Sequence, residues 1–384
     1  MLMRPSPAIH LSEDQKRIVW RLRTGGPASR TELARDLGIH NGALTRLSRE
    51  LIALGVVQEQ DQSERTARGR PTVPLTISDR AGYAAGATVH PGWLELSLVN
   101  FSGEVIARDI EPIESDDPAD FAEAVGRRLR GLAVNHNMLR SRFLGLGIGI
   151  PGPAIVGRPN HWWAVDWLRG WRDLDLAAFL GDRLGLPVWL QNDSSAAALA
   201  EYYTGRLIRV CNSALVLFIG HGVGGGVIAG REMFVGEYGN AGEVGRLYPG
   251  GGRPRPSGID LLATLRAAGA EVSSLLEVED CLRTHPEVIA TWIDRSAAQL
   301  ELVVNAGLVW MDPGAVVISG ALPLSVLDGL ARRLERSTRA FMTPEDPPHL
   351  PPPLVKASTL GSSAVSIGAA LLPIHEIGRP GSND

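Results

Sequence analysis

Apolar residues in the amino-terminal stretch recur at helical spacing. Ser12 to Thr24 carries Ile18, Val19 and Leu22 on one face and stops at Gly25-Gly26-Pro27, which predicts a first helix. Ser29 followed by Glu32 is a capping-box signature, and Leu33 and Leu37 precede Gly38, so a short second helix is expected. Asn41 is placed to N-cap a third helix whose Leu44, Leu47, Leu51 and Leu54 face inward until Gly55. The opposite face of that helix shows Thr45, Arg46 and Arg49. Val56-Val57 and Val73 to Ile77 read as two strands flanking a polar, basic stretch from Gln58 to Thr72, the pattern of a wing.

From Arg80 onward the pattern changes to apolar strands alternating with Gly-rich turns, as expected for α/β lobes, with a linker near Ser78 to Gly82. Leu94, Leu96 and Leu98 alternate with Glu95, Ser97 and Val99. Phe143 to Ile150 reads as a buried strand entering a Pro151-Gly152-Pro153 turn. Val188 to Gln191 is a strand that runs into Asn192-Asp193-Ser194-Ser195 and then the small-residue helix Ala196 to Tyr203. A carboxylate at a strand end beside a helix start occupies a favoured ligand location, although Asp193 is equally read as the helix N-cap. The uncharged runs Val210 to Gly230 and Ala357 to His375 are broken by Gly, Asn, Ser, His or Pro and are expected to be buried core rather than membrane spans.

The 384 residues, 44% hydrophobic and 21% charged, fit a globular chain of two or three domains and exclude disordered, collagen-like and disulfide-rich classes. Cys211 and Cys281 cannot make a four-thiolate zinc site, and a reducing cytoplasm is the expected location. Met1 to His10 lacks the apolar run of a secretory signal. The net charge of −4 is uneven: residues 1–80 hold 13 Lys+Arg against 9 Asp+Glu, a net +4, which leaves −8 for the rest. That asymmetry alone fits either a solvated helical surface or a nucleic-acid-facing head. With the third helix and the wing, it favours DNA. Asn41, Thr45, Arg46 and Arg49 would lie in a major groove, and Arg68 and Arg70, in Arg68-Gly69-Arg70-Pro71, would reach a minor groove; the plain alternative is a three-helix bundle.

The succession of Gly147-Ile148-Gly149-Ile150-Pro151-Gly152-Pro153, Gly170-Trp171-Arg172-Asp173-Leu174, Asn192-Asp193-Ser194-Ser195-Ala196-Ala197-Ala198-Leu199-Ala200-Glu201, Gly220-His221-Gly222-Val223-Gly224-Gly225-Gly226 and Gly242-Glu243-Val244-Gly245-Arg246 resembles the ROK family of bacterial sugar-responsive repressors and sugar kinases. The resemblance covers essentially the whole chain. It implies an α/β protein with an N-terminal winged helix-turn-helix at residues 10–78, followed by a two-lobed actin-like (ribonuclease H-like) ATPase-type fold. The first lobe would span 82–192, completed by a C-terminal helix at about 360–376, and the second, with a dimerisation surface, 193–359. By the resemblance, Asp193 matches the kinase general base, and Asn192 and Glu243 match sugar-contacting positions; a structural hydrogen bond is the plain alternative for each.

The same comparison implies lost catalysis. The kinases open with an Asp-x-Gly-Gly-Thr phosphate hairpin, against which Thr88 and His90-Pro91-Gly92 align, without a metal-orienting carboxylate and with a proline that has no amide donor. The family's zinc histidine corresponds to Arg246, and its Cys-x-Cys-Gly-x-x-Gly-Cys-x-Glu motif to Gly251, Arg253, Gly258 and Asp260, so no metal and no nucleotide cofactor is expected. Effector contacts are expected from Asn192, Asp193, Glu243, Arg246 and Asp260. Arg246 either binds a carboxylate or phosphate of an anionic sugar or pairs internally with Glu243. His161, Trp162, Trp163, Trp167 and Trp171 suit sugar stacking, core or a dimer interface. The expected protein is a homodimeric repressor of carbohydrate metabolism, in which a sugar effector controls binding to double-stranded operator DNA. An active sugar kinase and a ligand-blind dimerisation body are the alternatives.

Overall fold

The computed structural model describes residues 9–60, 73–248, 254–341 and 351–381. α1 (Glu13–Gly25) and α2 (Arg30–Leu37) each open on a complete capping box, Ser12 with Gln15 and Ser29 with Glu32, and Gly38 ends α2 in the left-handed region at φ 66°. The cap of α3 (Asn41–Ala53) differs from expectation. The chain is extended through His40, whose ring Nδ1 accepts from the Gly42 amide at 3.3 Å, and Asn41 is already helical. Leu44, Leu47 and Leu51 are buried, but Leu54 falls past the last helical residue, beside Gly55 at φ 75°, and is 36% exposed, so three leucines face inward rather than four. β1 (Val57–Glu59) and β2 (Leu75–Ile77) pair antiparallel with Val57 opposite Ile77. Arg65, Arg68 and Arg70 lie outside the described residues.

The body holds two five-stranded sheets with the same internal order. β3 (Tyr83–His90), β4 (Trp93–Asn100) and β5 (Val105–Pro112) form an antiparallel meander; after α4 (Pro118–Asn135), β6 (Phe143–Ile150) adds parallel to β3, and after α5 (Leu176–Leu184), β7 (Val188–Asn192) adds parallel to β6. Then α6 (Asp193–Tyr203) leads to β8 (Ala214–Ile219), β9 (Val223–Ala229) and β10 (Glu232–Met233), another antiparallel meander. α7 (Gly258–Ala267), α8 (Val278–Thr284) and α9 (Pro286–Met311) precede β11 (Ala315–Gly320), and α10 (Leu324–Phe341) precedes β12 (Leu354–Ala357); both strands extend β8 in parallel. The orders β5-β4-β3-β6-β7 and β10-β9-β8-β11-β12 are therefore equivalent. α4 and α5 share one apolar cluster with the first sheet, and α7 to α10 share another with the second.

α6 and α11 (Ala364–Gly378) fill the space between the sheets. Ser194 to Tyr203 and Ala364 to His375 are buried at every position, as helices without a polar face must be. Glu95 and Ser97 belong to this interior: β4 is buried on both faces, its leucines toward α4 and its Ser97 hydroxyl 2.7 Å from the Ser366 hydroxyl of α11. Glycine lets the layers touch. A Cβ on Gly147 would stand 1.8 Å from the Ala369 carbonyl oxygen, and one on Gly368 would stand 1.7 Å from that of Ala196. The stretch from Val210 to Gly230 is core only in part, because β8 and β9 are largely enclosed while Val210 is 63% exposed. Among the described residues no helix is long and apolar enough to cross a membrane.

α1 docks the head on the body through a buried cation. Arg23 lies over the Phe101 and Tyr203 rings at 5.2 and 5.1 Å and donates to the Phe101 carbonyl at 3.0 Å, with no carboxylate partner among the described residues. The Tyr203 hydroxyl is 2.7 Å from Nδ1 of His375, whose ring meets Trp20 edge-on. Tyr203 ends the helix that Asp193 begins.

Gly147→Ala is expected to cost about 3 kcal/mol, because the obstructing atom is backbone and the layers must separate to admit a methyl. The urea midpoint checks this, against Gly131→Ala, where a Cβ meets nothing within 4 Å.

Candidate functional site

A cleft of about 800 Å³ lies between the sheets, and both lobes line it. β7 delivers Asn192 to its floor, and Asn192 rather than Asp193 caps α6. Its Oδ1 accepts from the Ser194 and Ser195 amides at 2.9 and 3.3 Å, and its Nδ2 donates to the Gly152 carbonyl at 3.1 Å. The capping role expected as the alternative for Asp193 thus belongs to its neighbour, and Asp193, the first helical residue, lines the cleft. Burial pushes its carboxyl up to about 6, with Glu243 adding to the rise and hydrogen bonds from the Ser194 amide and hydroxyl opposing it. Glu243 sits across the cleft on a turn fixed by the Gly225 amide donating to the Gly242 carbonyl at 2.8 Å, and burial raises its pKa while Arg246 lowers it.

The structure thus brings Asn192, Asp193, Glu243 and Asp260 to one cavity and leaves Arg246 off it. Arg246 rides the 3-10 turn Val244–Leu247 to an exposed position and lines an adjoining depression with Glu243 and Trp163. Asp260 is engaged inside the second lobe: its Oδ2 accepts from the Trp292 indole at 2.8 Å and pairs with Arg295. The guanidiniums that do line the cleft, Arg172 and Arg255, were not singled out as ligand groups. Arg172 stood in a motif without a charge partner visible in sequence, and nothing in the local pattern marks Arg255. Gly251 and Arg253 lie outside the described residues.

At the other end of the cleft the β3–β4 hairpin is closed by its own side chains. The His90 imidazole stacks on Trp93 with centroids 4.7 Å apart, and His221, from the β8–β9 turn of the opposite lobe, lies 6.0 Å from Trp93 and 6.4 Å from His90. Trp93 is 3% exposed and packs in the apolar cluster of the second lobe. Burial holds His90 down at about 3 and His221 at about 4, so the stack is uncharged at neutral pH. Thr88 is buried and donates to the Gly149 carbonyl at 3.0 Å.

On the head, Asn41, Arg46 and Arg49 are exposed and Thr45 is half-buried, its hydroxyl donating to the Asn41 carbonyl at 2.8 Å. Arg46 pairs with Glu50 at 2.8 Å. Arg49 has no ion-pair partner among the described residues and lines a groove with Arg30, Thr45, Ile52, Gln58 and Glu59, from α2, α3 and β1.

A model described as the ROK family matches residues 114–376. The chain belongs to the ROK family. It is 29% identical over 364 residues to the uncharacterized protein y4fQ of Sinorhizobium fredii, covering 94% of this chain and 91% of that one. It is 25% identical over 239 residues to the xylose repressor of Bacillus spizizenii, covering 61% of this chain and 60% of that one, less than two thirds of the repressor's length. The crystal structure of a ROK family transcriptional regulator, a homolog of the Escherichia coli MLC protein, superposes with a TM-score of 0.64 at 20% identity, covering 95% of this chain and 99% of that one. This last likeness establishes the ROK fold for the chain.

Because the folded protein raises the pKa of Asp193 above its unfolded value near 3.8, the stability this group contributes is full below that value and lost as pH rises through about 6. Asp193→Asn is therefore expected to stabilise the protein at pH 7.5, by about 2 kcal/mol, with the gain vanishing at pH 4. Thermal melts of both proteins across that pH range check it.

Proposed function

We propose that the protein is a transcription regulator, a repressor of carbohydrate metabolism genes, in which residues 10–78 grip operator DNA and a sugar effector binds between the lobes. The lobes would span 82–192, completed by the C-terminal helix, and 193–359. The observation that carries the reading is the asymmetry of the cleft. Its Asn192, Asp193 and Glu243 end offers donors and acceptors suited to hydroxyl groups, whereas the β3–β4 hairpin, where a kinase of this family would hold nucleotide phosphates, is filled by His90 and Trp93. Phosphoryl transfer depends on positioning and charge stabilisation, and an uncharged stack there supplies neither. Sugar-dependent ADP production by the purified protein would overturn this reading in favour of a kinase.

Operator binding by paired heads requires a dimer, with half-sites about 34 Å apart or a multiple of it. α9 supports one: Leu302, Val309 and Trp310 recur on one helical face and are 69%, 70% and 86% exposed, an apolar stripe of the kind that pairs copies of a chain. Effector-driven lobe movement would then alter the spacing of the heads. Trp310→Glu is expected to convert the dimer to monomer in sedimentation velocity while leaving the far-ultraviolet circular dichroism unchanged.

Arg49→Ala is expected to weaken binding to a selected operator duplex by about tenfold or more, and Arg46→Ala by less, since Glu50 already engages Arg46. Fluorescence anisotropy at fixed salt reads both. Absence of any preference among duplex sequences would overturn the regulator reading.

A further inference from the structure

The structure separates the aromatic residues that the sequence groups between His161 and Trp171. Trp171 is buried and donates its indole N–H to the Asp116 carbonyl at 2.9 Å, and Trp162 is 6% exposed. Trp163 differs: it is 58% exposed, lines the cleft, and is nonetheless fixed. The Arg172 guanidinium stands 4.5 Å from its ring centroid and is itself held by the Ala164 carbonyl at 2.6 Å and Asp166 at 2.9 Å.

The backbone beneath the ring is tied to the polar floor of the cleft. The Trp163 amide donates to the Pro153 carbonyl at 2.8 Å, and Asn192 holds the intervening Gly152. Gly152 has φ 129°, and a Cβ there would lie 2.4 Å from the Trp163 carbonyl oxygen, so the loop closes against itself only with glycine. The Asn240 side chain clamps Ala154 from the opposite lobe, accepting from its amide at 2.8 Å and donating to its carbonyl at 3.0 Å. An indole wall is thus presented in fixed register with Asn192, Asp193 and Glu243. One face is covered by a cation, which limits the rotamer freedom the ring would lose when a ligand arrives.

We propose that Trp163, backed by Arg172, is the stacking platform of the effector site, and that the effector is a saccharide in closed ring form with an uninterrupted C–H face. This rests on the reading of the cleft as a sugar-effector site. A closed pyranose has polarised C–H groups on one face to lay against the π surface and hydroxyls on its rim for the carboxylates and amide. An open-chain alditol carries the same hydroxyls without a rigid face, and a small anion has neither.

Calorimetry on the full-length protein tests this with matched probes, D-glucose against sorbitol and D-xylose against xylitol. The wild type is expected to bind at least one of the two sugars and to prefer it to its alditol. Trp163→Ala should weaken that sugar by about tenfold and abolish the preference, Trp163→Phe should restore most of it, and Asp193→Ala should weaken sugar and alditol alike. Sugar affinity unchanged in Trp163→Ala but lost in Asp193→Ala overturns the platform and leaves the sugar cleft standing. No saturable binding of either sugar to the wild type at millimolar concentration, or affinity indifferent to Asp193→Ala, overturns both.

Discussion

The contact of α6 and α11 with each other and with the two sheets is the constraint on which the rest depends. Both helices are buried around their whole circumference, so neither has a face that water could occupy. Their backbones approach so closely that Gly368 packs on the Ala196 carbonyl. The start of α6 thereby fixes Asn192 and Asp193 at the cleft floor, and its end fixes Tyr203 under the head. The site chemistry and the docking of the head are properties of one helix.

Much of this was legible in the sequence because local rules and the global fold agree. The capping box of α2, the αL glycine after it, the strand running into Asn192 and the hydrophobic spacing of Leu44, Leu47 and Leu51 are short-range features that tertiary context did not override. What escaped was decided at long range or by one residue of register. His40 and Asn41 are both competent caps, and only backbone geometry chooses between them. Asn192 and Asp193 stand in the same relation. The burial of Glu95 and Ser97 follows from α11 returning across β4 from the far end of the chain, which no window of the sequence contains. The resemblance places Arg246 in the cleft, but a 3-10 turn carries it outside, and of the guanidiniums that line the cleft Arg172 comes from a motif that does not mark it as a ligand group and Arg255 from a loop without pattern.

The two ends of the cleft differ in what they ask of a ligand. Around Asp193 and Glu243 two carboxyls of raised pKa face a shared space, an arrangement that favours partners able to both donate and accept hydrogen bonds. Around His90, Trp93 and His221 the surface is aromatic, with the Glu95 carboxyl behind it accepting from the Trp93 indole at 3.3 Å, and it joins the lobes across the opening. The cleft thus presents an aromatic wall at the β3–β4 hairpin and ionisable groups around Asp193 and Glu243.

Arg23 gives the head an identity that the body can read. Its guanidinium occupies an aromatic box made by Phe101 and Tyr203, closed to solvent and furnished with a single carbonyl acceptor. A carboxylate in the same place would meet the negative faces of both rings and a carbonyl dipole of the same sense, and a short apolar residue would leave the box hollow. An amino-terminal module is therefore firmly seated on this body only when its first helix brings a cation to that position.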